Sequence, residues 1–115
     1  MNDLERMQQR ISKFRDARDW KQFHNPKDMA LSLTLEAAEV LEHFQWKSNK
    51  EIKEELLKDK TKLSEELADV LYWVLLMSHD LSIDIERVFE EKMKQNEEKY
   101  SIDKAKGTHK KYTEL

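Results

Sequence analysis

Residues 33–41 read Leu-Thr-Leu-Glu-Ala-Ala-Glu-Val-Leu, and residues 63–71 read Leu-Ser-Glu-Glu-Leu-Ala-Asp-Val-Leu. The two copies place acids at matching positions, which are Glu36, Glu39, Glu66 and Asp69. In each copy the two acids are three residues apart, so both lie on one face of a helix about one turn apart. Because aliphatic residues surround them, each helix would hold negative charge in an apolar setting, and that charge needs compensation.

Both copies are predicted to be helices that are apolar on two sides. At about 100° per residue, each copy has a narrow polar stripe between two apolar flanks. The stripes consist of Ser32, Glu36, Glu39 and His43 in the first copy and of Lys62, Glu66, Asp69 and Trp73 in the second. A helix with two apolar sides is largely enclosed, so the stripe is expected to face a site rather than open water. If the two helices pack antiparallel, the four carboxylates meet across the seam.

Four carboxylates in one semi-buried seam would raise one another's pKa, and burial would raise it further. A hard divalent cation relieves this repulsion, and oxygen ligands suit magnesium or manganese. Zinc is disfavoured because the chain has no cysteine and its histidines are not at ligand spacing. The alternative is that the acids form ordinary ion pairs with Lys47, Lys62 or arginine residues. The matched register of the two copies favours the metal.

Composition predicts one nearly all-helical domain that spans residues 1–115. The chain has one glycine, one proline and 39% charged residues, so turn and strand signals are missing. A net charge of −3 gives no reason to bind nucleic acid or an anionic membrane. The longest apolar run, Val70 to Met77, is far below the roughly 20 residues of a membrane span. The expected protein is soluble, and the absence of cysteine fits a cytoplasmic location.

Apolar spacing predicts four helices. They run from about Asp3 to Asp19, from Pro26 to about Trp46, from about Lys62 to His79, and onward from a cap at Ser82 or Asp84. Asn25 is the expected cap of the second helix. The lysine- and glutamate-rich segment Ser48 to Thr61 is interpreted as a loop with room for a short surface helix. Residues 101–115 form a basic tail, which is either a frayed terminus or a flap that brings Lys110 or Lys111 to anionic groups.

Aromatic side chains are predicted to surround the acidic seam. Trp46 follows the first acidic pair by one heptad, and Trp73 lies one turn after the second pair. Trp20 and His24 lie in the connector before the second helix. Flat rings beside a metal that handles phosphates indicate a slot for a nucleobase, where stacking contributes about 1–3 kcal/mol per base. For each tryptophan alone, the alternative is core packing.

Several strings of this chain resemble those of a known family. They are residues 18–24 (Arg-Asp-Trp-Lys-Gln-Phe-His), 44–48 (Phe-Gln-Trp-Lys-Ser), 65–71 (Glu-Glu-Leu-Ala-Asp-Val-Leu) and 111–115 (Lys-Tyr-Thr-Glu-Leu), together with Lys92-Met93 and Asn96. With the two acidic pairs, they resemble the MazG-like superfamily of all-α nucleoside triphosphate pyrophosphohydrolases, in particular its dCTP pyrophosphatase branch. The resemblance covers nearly the whole chain and is thinnest in Ser48 to Lys62.

The resemblance implies a fold like a four-helix bundle that assembles as a dimer or a dimer-based tetramer. It implies magnesium-dependent hydrolysis of a dCTP-like nucleoside triphosphate between the α- and β-phosphates, which yields the monophosphate and pyrophosphate and cleanses the nucleotide pool. The implied metal-binding and catalytic residues are Glu36, Glu39, Glu66 and Asp69. The implied substrate contacts are Trp20, His24, Trp46, Trp73 and Asn96 at the base and sugar, and Lys92, Lys111 and Tyr112 near the phosphates.

Two positions depart from the related dCTP enzymes. Ile11 stands where they have a histidine, and Trp73 stands where they have a tyrosine. Both positions belong to the implied base pocket, so discrimination between bases is expected to be looser. The general base is open as well. Some relatives use a glutamate just before the first motif acid, where this chain has Leu35, and Glu36 is the candidate for orienting the water.

Two alternative interpretations of the sequence are a di-iron protein and a non-catalytic interaction module. A carboxylate-bridged di-iron bundle requires Glu-x-x-His on two helices. Here His43 follows Glu39 by four residues, and Tyr72 stands three residues after Asp69, so the spacing does not fit. A non-catalytic helical interaction module is the alternative function. It explains the amphipathic helices but not two acidic pairs in matched register.

Overall fold

The computed structural model describes all 115 residues, and none of them lies in a β-strand. The helices are α1 (Asp3–Asp16), α2 (Pro26–Glu42), α3 (Asn49–Lys58), α4 (Thr61–Asp80), α5 (Ile85–Lys99) and α6 (Ile102–Ala105). Two 3-10 turns cover Lys21–Phe23 and Tyr112–Glu114. The predicted all-α class is confirmed. None of the helices combines the length and the apolar character needed to cross a bilayer.

The chain folds as two compact units, Met1–Ser82 and Ile83–Leu115. In the first unit, α1 and α2 both pack on α4. Met29, Leu75 and Leu76 are its fully buried apolar side chains. This unit contains the repeated acidic segments.

Contacts at both ends of the α2–α4 pair establish its direction. His43, just after α2, contacts Glu66 near the start of α4. The ring of His24, just before α2, lies 5.3 Å from the ring of Trp73 in the second half of α4. The two helices therefore run antiparallel, which is the arrangement in which the four carboxylates are expected to meet.

Two helices end earlier than their apolar pattern predicted. α1 stops at Asp16, and the carbonyl of Arg15 then accepts hydrogen bonds from the amides of Arg18 and Trp20. Asp19 follows in the left-handed region with φ 55°. α2 stops at Glu42, and the turn after it places Trp46 at φ 66°. Left-handed residues commonly close helices, but glycine usually fills that position, so the usual stop signal is missing here.

Ser48 to Thr61 was predicted to be a loop with room for a short surface helix. Ten of its residues form α3, so the segment is more helical than predicted. Ser48 accepts the amide of Glu51, and the Glu51 side chain accepts the amide of Ser48 in return. This capping box satisfies two amides that helix geometry leaves free. The other predicted caps are observed at Asn25, which accepts the amide of Asp28, and at Asp84, which accepts the amide of Arg87.

The second unit consists of α5 and the tail. Tyr112 packs edge-on against Tyr100 at 6.0 Å, and the Lys99 ammonium lies 4.8 Å from the centre of the Tyr112 ring. Gly107 turns the chain with φ 82°, which glycine adopts without strain. The tail is an ordered segment that packs on the end of α5, so the frayed-terminus interpretation does not hold. Its role as a flap stays a prediction.

Candidate active site

The four repeated acids meet where α2 faces α4. Burial raises the pKa of the Glu36 carboxyl above its ordinary value, and the hydrogen bond and charge of Glu39 raise it further. The charges of Asp69 and Glu66 act in the same direction. Glu36 and Glu66 are half-buried, whereas Glu39 and Asp69 are exposed at the edge of the cluster. Burial and the neighbouring acids thus make the ionised form of Glu36 less favourable.

No lysine or arginine neutralises this cluster. Lys47 forms its ion pair with Glu55 at 2.7 Å, and Lys62 forms none. One carboxylate oxygen of Glu36 and one of Glu66 are buried without a hydrogen-bond partner. The alternative of ordinary helix ion pairs is therefore wrong, because the partners that it requires lie elsewhere.

His43 is a further member of the cluster that the sequence reading did not assign to the site. Its Nε2 atom is in ion-pair contact with a carboxylate oxygen of Glu66, although neither atom has a hydrogen bond of proper geometry. Both side chains are 23% exposed. The signal was present in the sequence, since His43 continues the polar stripe of Glu36 and Glu39 along α2.

The chemistry of the donor set fits a hard divalent cation. Oxygen ligands dominate, one oxygen of Glu36 and one of Glu66 are buried without a hydrogen bond, and no lysine or arginine pairs with the cluster. In the present arrangement, no three His, Asp or Glu side chains are placed to hold one ion together. Binding would therefore require the side chains to turn toward a common point, which their positions on two facing helices allow.

His24 and Trp73 are brought together as predicted, with their rings edge to face at 74°. Trp73 also packs edge-on against Tyr72 at 5.1 Å. Burial lowers the pKa of the His24 imidazole below its ordinary value, and the positive charge of Arg15 lowers it further, while Asp80 opposes this. His24 is therefore neutral near pH 7, and its ring can stack and exchange hydrogen bonds without carrying charge.

Trp20 and Trp46 lie apart from this pair. The ring of Trp20 packs on Phe14 at 5.6 Å, and the Arg18 guanidinium lies near both rings. Trp46 is 93% exposed and makes no ring contact. Because α2 ends at Glu42, the heptad spacing that placed Trp46 beside the acids does not apply. The structure does not bring these two tryptophans to the acids within one chain.

Ile11 and Trp73 do not line the same groove within one chain. Ile11 lines a groove of about 420 Å³ between α1 and α4, together with Phe14, Leu71 and Tyr72. On α4 this groove uses a face different from the one that carries Glu66, Asp69 and Trp73, and Trp73 does not line it. The replacement of histidine by Ile11 thus affects an apolar groove rather than the surroundings of Trp73.

The remaining predicted substrate contacts belong to the second unit. Lys92 and Asn96 are exposed on α5 one turn apart, as the sequence predicted. Lys111 and Tyr112 lie at the terminal 3-10 turn, where Tyr112 packs on Tyr100. Their assignment to the substrate site stays a prediction.

Comparison with known proteins identifies the family. Residues 31–115 match the MazG-like family. The dCTP pyrophosphatase 1 of Rattus norvegicus is 35% identical over 97% of this chain and 67% of the rat protein. That of Homo sapiens is 33% identical over the same shares of the two chains. The crystal structure of a pyrophosphatase from Archaeoglobus fulgidus matches with a TM-score of 0.81 and 37% identity, covering 88% of this chain and 94% of the other.

This chain belongs to the MazG-like family. The predicted resemblance is confirmed, and so is the predicted enzyme class, a nucleotide pyrophosphohydrolase. The non-catalytic interaction module is therefore set aside as the main function. The matched residues 31–115 contain both acidic pairs, so the part of the chain that defines the family is also the part that carries the charged seam.

Proposed function

We propose that this protein hydrolyses a deoxynucleoside triphosphate, dCTP or a close pyrimidine relative, between its α- and β-phosphates. The products are a nucleoside monophosphate and pyrophosphate, and the biological role is cleansing of the nucleotide pool. The observation that carries the proposal is the acidic cluster on α2 and α4, which no lysine or arginine neutralises and where burial and the neighbouring carboxylates raise the pKa of Glu36. The substrate named for the mammalian relatives supports the choice of base.

Glu36, Glu39, Glu66 and Asp69 are the residues that would hold Mg²⁺, with Mn²⁺ as a substitute. The bound ion would neutralise phosphate charge and supply a Lewis acid at the scissile phosphoryl group. The half-buried Glu36 is the group of this chain that would orient the attacking water and accept its proton, because the neighbouring acids raise its proton affinity. His43 contacts Glu66 and would hold that carboxylate in place from the side of α2.

The base is proposed to contact Trp20, His24, Trp46, Trp73 and Asn96. Of these, Trp73 and the neutral His24 are in contact with each other in the structure. Stacking tolerates every base, so selectivity must come from hydrogen bonds, where an unpaired buried group costs about 1–3 kcal/mol. The Nδ1 atom of His24 is buried without a hydrogen-bond partner, so a base would reach it only after the side chains around it move. Lys92, Lys111 and Tyr112 would contact the phosphates.

One chromatographic experiment tests both the bond that is cut and the substrate. Purified protein with Mg²⁺ is incubated with common deoxynucleoside and ribonucleoside triphosphates and with 5-substituted dCTP. We expect monophosphate and pyrophosphate in equal amounts, because cleavage between the α- and β-phosphates releases both in one step. The highest kcat/KM is expected for dCTP or its 5-substituted forms, with measurable activity on other pyrimidine deoxynucleotides. Accumulation of a diphosphate would contradict the assigned bond, and a preference for purines would contradict the assigned base.

Substitutions of Trp46 are expected to affect substrate binding and protein stability differently. Its exposed ring has no packing to lose, so Trp46→Ala should raise KM more than it lowers kcat, as expected for lost ground-state binding. Trp46→Gly should raise KM equally but be more stable than Trp46→Ala by about 1 kcal/mol, because only glycine adopts a positive φ without strain. Steady-state kinetics measures the change in KM, and urea unfolding measures the difference in stability. Equal stability of the two variants would show that this backbone strain is absent in solution.

The enzyme is further proposed to be a homodimer or a dimer-based tetramer. Four large apolar side chains of α2 and α4, each more than two fifths exposed, support this proposal: Leu31, Leu35, Leu67 and Leu71. Exposed apolar surface on this scale is typical of an interface, and a second copy presents the same surface. Light scattering should give the mass of two or four chains, and Leu35→Glu should reduce it. A wild-type monomer at micromolar concentration would contradict the proposal.

A further inference from the structure

Arg15 is the most deeply buried charged side chain of the protein, with 1% of its surface exposed. Its Nη1 atom lies 2.5 Å from Oδ2 of Asp80, and its Nε atom lies 3.5 Å from Oδ1 of Asp16. Asp80 is the last residue of α4, where a negative charge faces the negative end of the helix dipole. A buried ion pair in such a place is a poor source of stability, since apolar side chains of similar volume often serve as well. Its position therefore suggests another role.

The backbone of Arg15 marks the start of the connector between α1 and α2. Its carbonyl accepts the amides of Arg18 and Trp20, at 3.1 and 3.2 Å. The connector carries Trp20 and His24 and ends at the cap of α2. Because the guanidinium is bound to Asp80, the point from which the connector departs is held against the end of α4.

The connector contacts α4 a second time through His24. Its ring lies edge to face on Trp73, two turns before Asp80 on the same helix. The Nδ1 atom of His24 has no hydrogen-bond partner, so no hydrogen bond at that atom orients the ring. The Arg15 charge lowers the pKa of His24, and His24 lines one pocket together with Asp80, the partner of Arg15. The placement of His24 thus depends on where the connector begins.

We propose that the Arg15–Asp80 pair is a positioning clamp that holds His24 against Trp73. Neither charge touches the acidic cluster, so the clamp acts on the rings and not on the phosphates. Loss of the clamp would let the connector move and widen the slot beside Trp73. The consequence for substrate binding rests on the proposed function, whereas the consequence for the geometry of the two rings does not.

The test uses the double variant Arg15→Met/Asp80→Leu, which removes both charges and leaves neither one stranded. In the wild type, the Trp73 ring current shifts the His24 ring protons away from their usual NMR positions. At a pH where His24 is neutral in both proteins, so that loss of the two charges does not change its protonation, we expect these resonances to move toward the values of a free neutral histidine in the double variant. For dCTP we expect KM to rise about tenfold, with kcat changed by less than about threefold, the pattern of lost binding.

Gln8→Ala is the matched control, because it removes another link between α1 and α4. The Gln8 side-chain amide donates to the carbonyl of Leu75 at 3.0 Å, far along α1 from the connector. This variant should lower Tm but leave the His24 resonances and KM unchanged. If Gln8→Ala changes the His24 resonances and KM as the double variant does, general loosening of α1 explains the effect and the clamp is refuted.

Unchanged His24 resonances and an unchanged KM in the folded double variant would overturn the inference. If the double variant does not fold, Arg15→Lys provides the test. Lysine keeps the positive charge but lacks the forked guanidinium that contacts Asp80 and Asp16 together. We then expect a smaller shift of the His24 resonances in the same direction, and no shift would refute the clamp. If the wild type hydrolyses no nucleoside triphosphate, the proposed function fails, while the NMR comparison still decides the clamp.

Discussion

Asp69→Asn should lower kcat/KM by a factor on the order of 10²–10³, the usual scale for removing one group that stabilises charge in a transition state. Asparagine keeps the shape of the side chain but removes its negative charge. The variant should also respond less to Mg²⁺ in thermal unfolding, because stabilisation by a ligand depends on its affinity for the folded state. Kinetics over a range of Mg²⁺ concentrations and melting curves with and without the ion measure both effects.

The control for this experiment is Glu65→Gln, which removes an exposed acid from the same helix outside the cluster. It should leave the kinetics and the response to Mg²⁺ unchanged. Circular dichroism should show the same helix content for both variants, since Asp69 is exposed and fills no core space. Asp69→Asn with wild-type activity at every Mg²⁺ concentration would remove Asp69 from the metal site.

Asp80→Ala should reduce the free energy of unfolding by about 3–5 kcal/mol, because it leaves the Arg15 guanidinium buried without its partner. For a chain of this length, such a loss lowers Tm by roughly 10–20 °C. Thermal and urea unfolding, followed by far-UV circular dichroism, measure the change. The double variant Arg15→Met/Asp80→Leu should recover most of the loss, since no unpaired charge remains buried.

Glu55→Ala is the matched control for the buried pair. It breaks the ion pair between Lys47 and Glu55, which is also short at 2.7 Å, but both side chains are partly exposed. Exposed pairs contribute about 0–1 kcal/mol, so Tm should change little. If Asp80→Ala costs no more than Glu55→Ala, water reaches Arg15 in solution and its burial does not determine its energetics.

The acidic seam could be predicted from the sequence because its signal is local and periodic. Glu36 and Glu39 repeat in register as Glu66 and Asp69, and apolar residues stand on both sides of each stripe. The packing of α2 on α4 brings the two stripes together, whereas Glu39, Asp69 and part of the apolar flanks stay exposed within one chain. The cap at Asn25 could also be predicted from the sequence, because the side chain that caps a helix is adjacent to that helix in sequence.

The start of α3 has a local sequence signal that the prediction did not use. Ser48 and Glu51 have the spacing of a capping box. Because many charged residues surround them, the segment was predicted to be a loop with room for only a short surface helix. The ends of α1 and α2 had no such signal. Asp19 and Trp46 adopt left-handed conformations that glycine usually occupies, so nothing in their side chains marks the stop.

The sequence by itself determined the helical class, the paired acids and the family, because these depend on spacings within a few turns of one helix. The tertiary structure alone decided that Arg15 is buried against Asp80, that His43 contacts Glu66 and that Ile11 lies in a groove apart from Trp73. Position 15 follows Ile11 by four residues and so lies beside the apolar face of α1, but an arginine there does not reveal its partner. Its environment is set by the crossing of α1 and α4, which joins residues 65 positions apart, and no periodicity within either helix encodes that pairing.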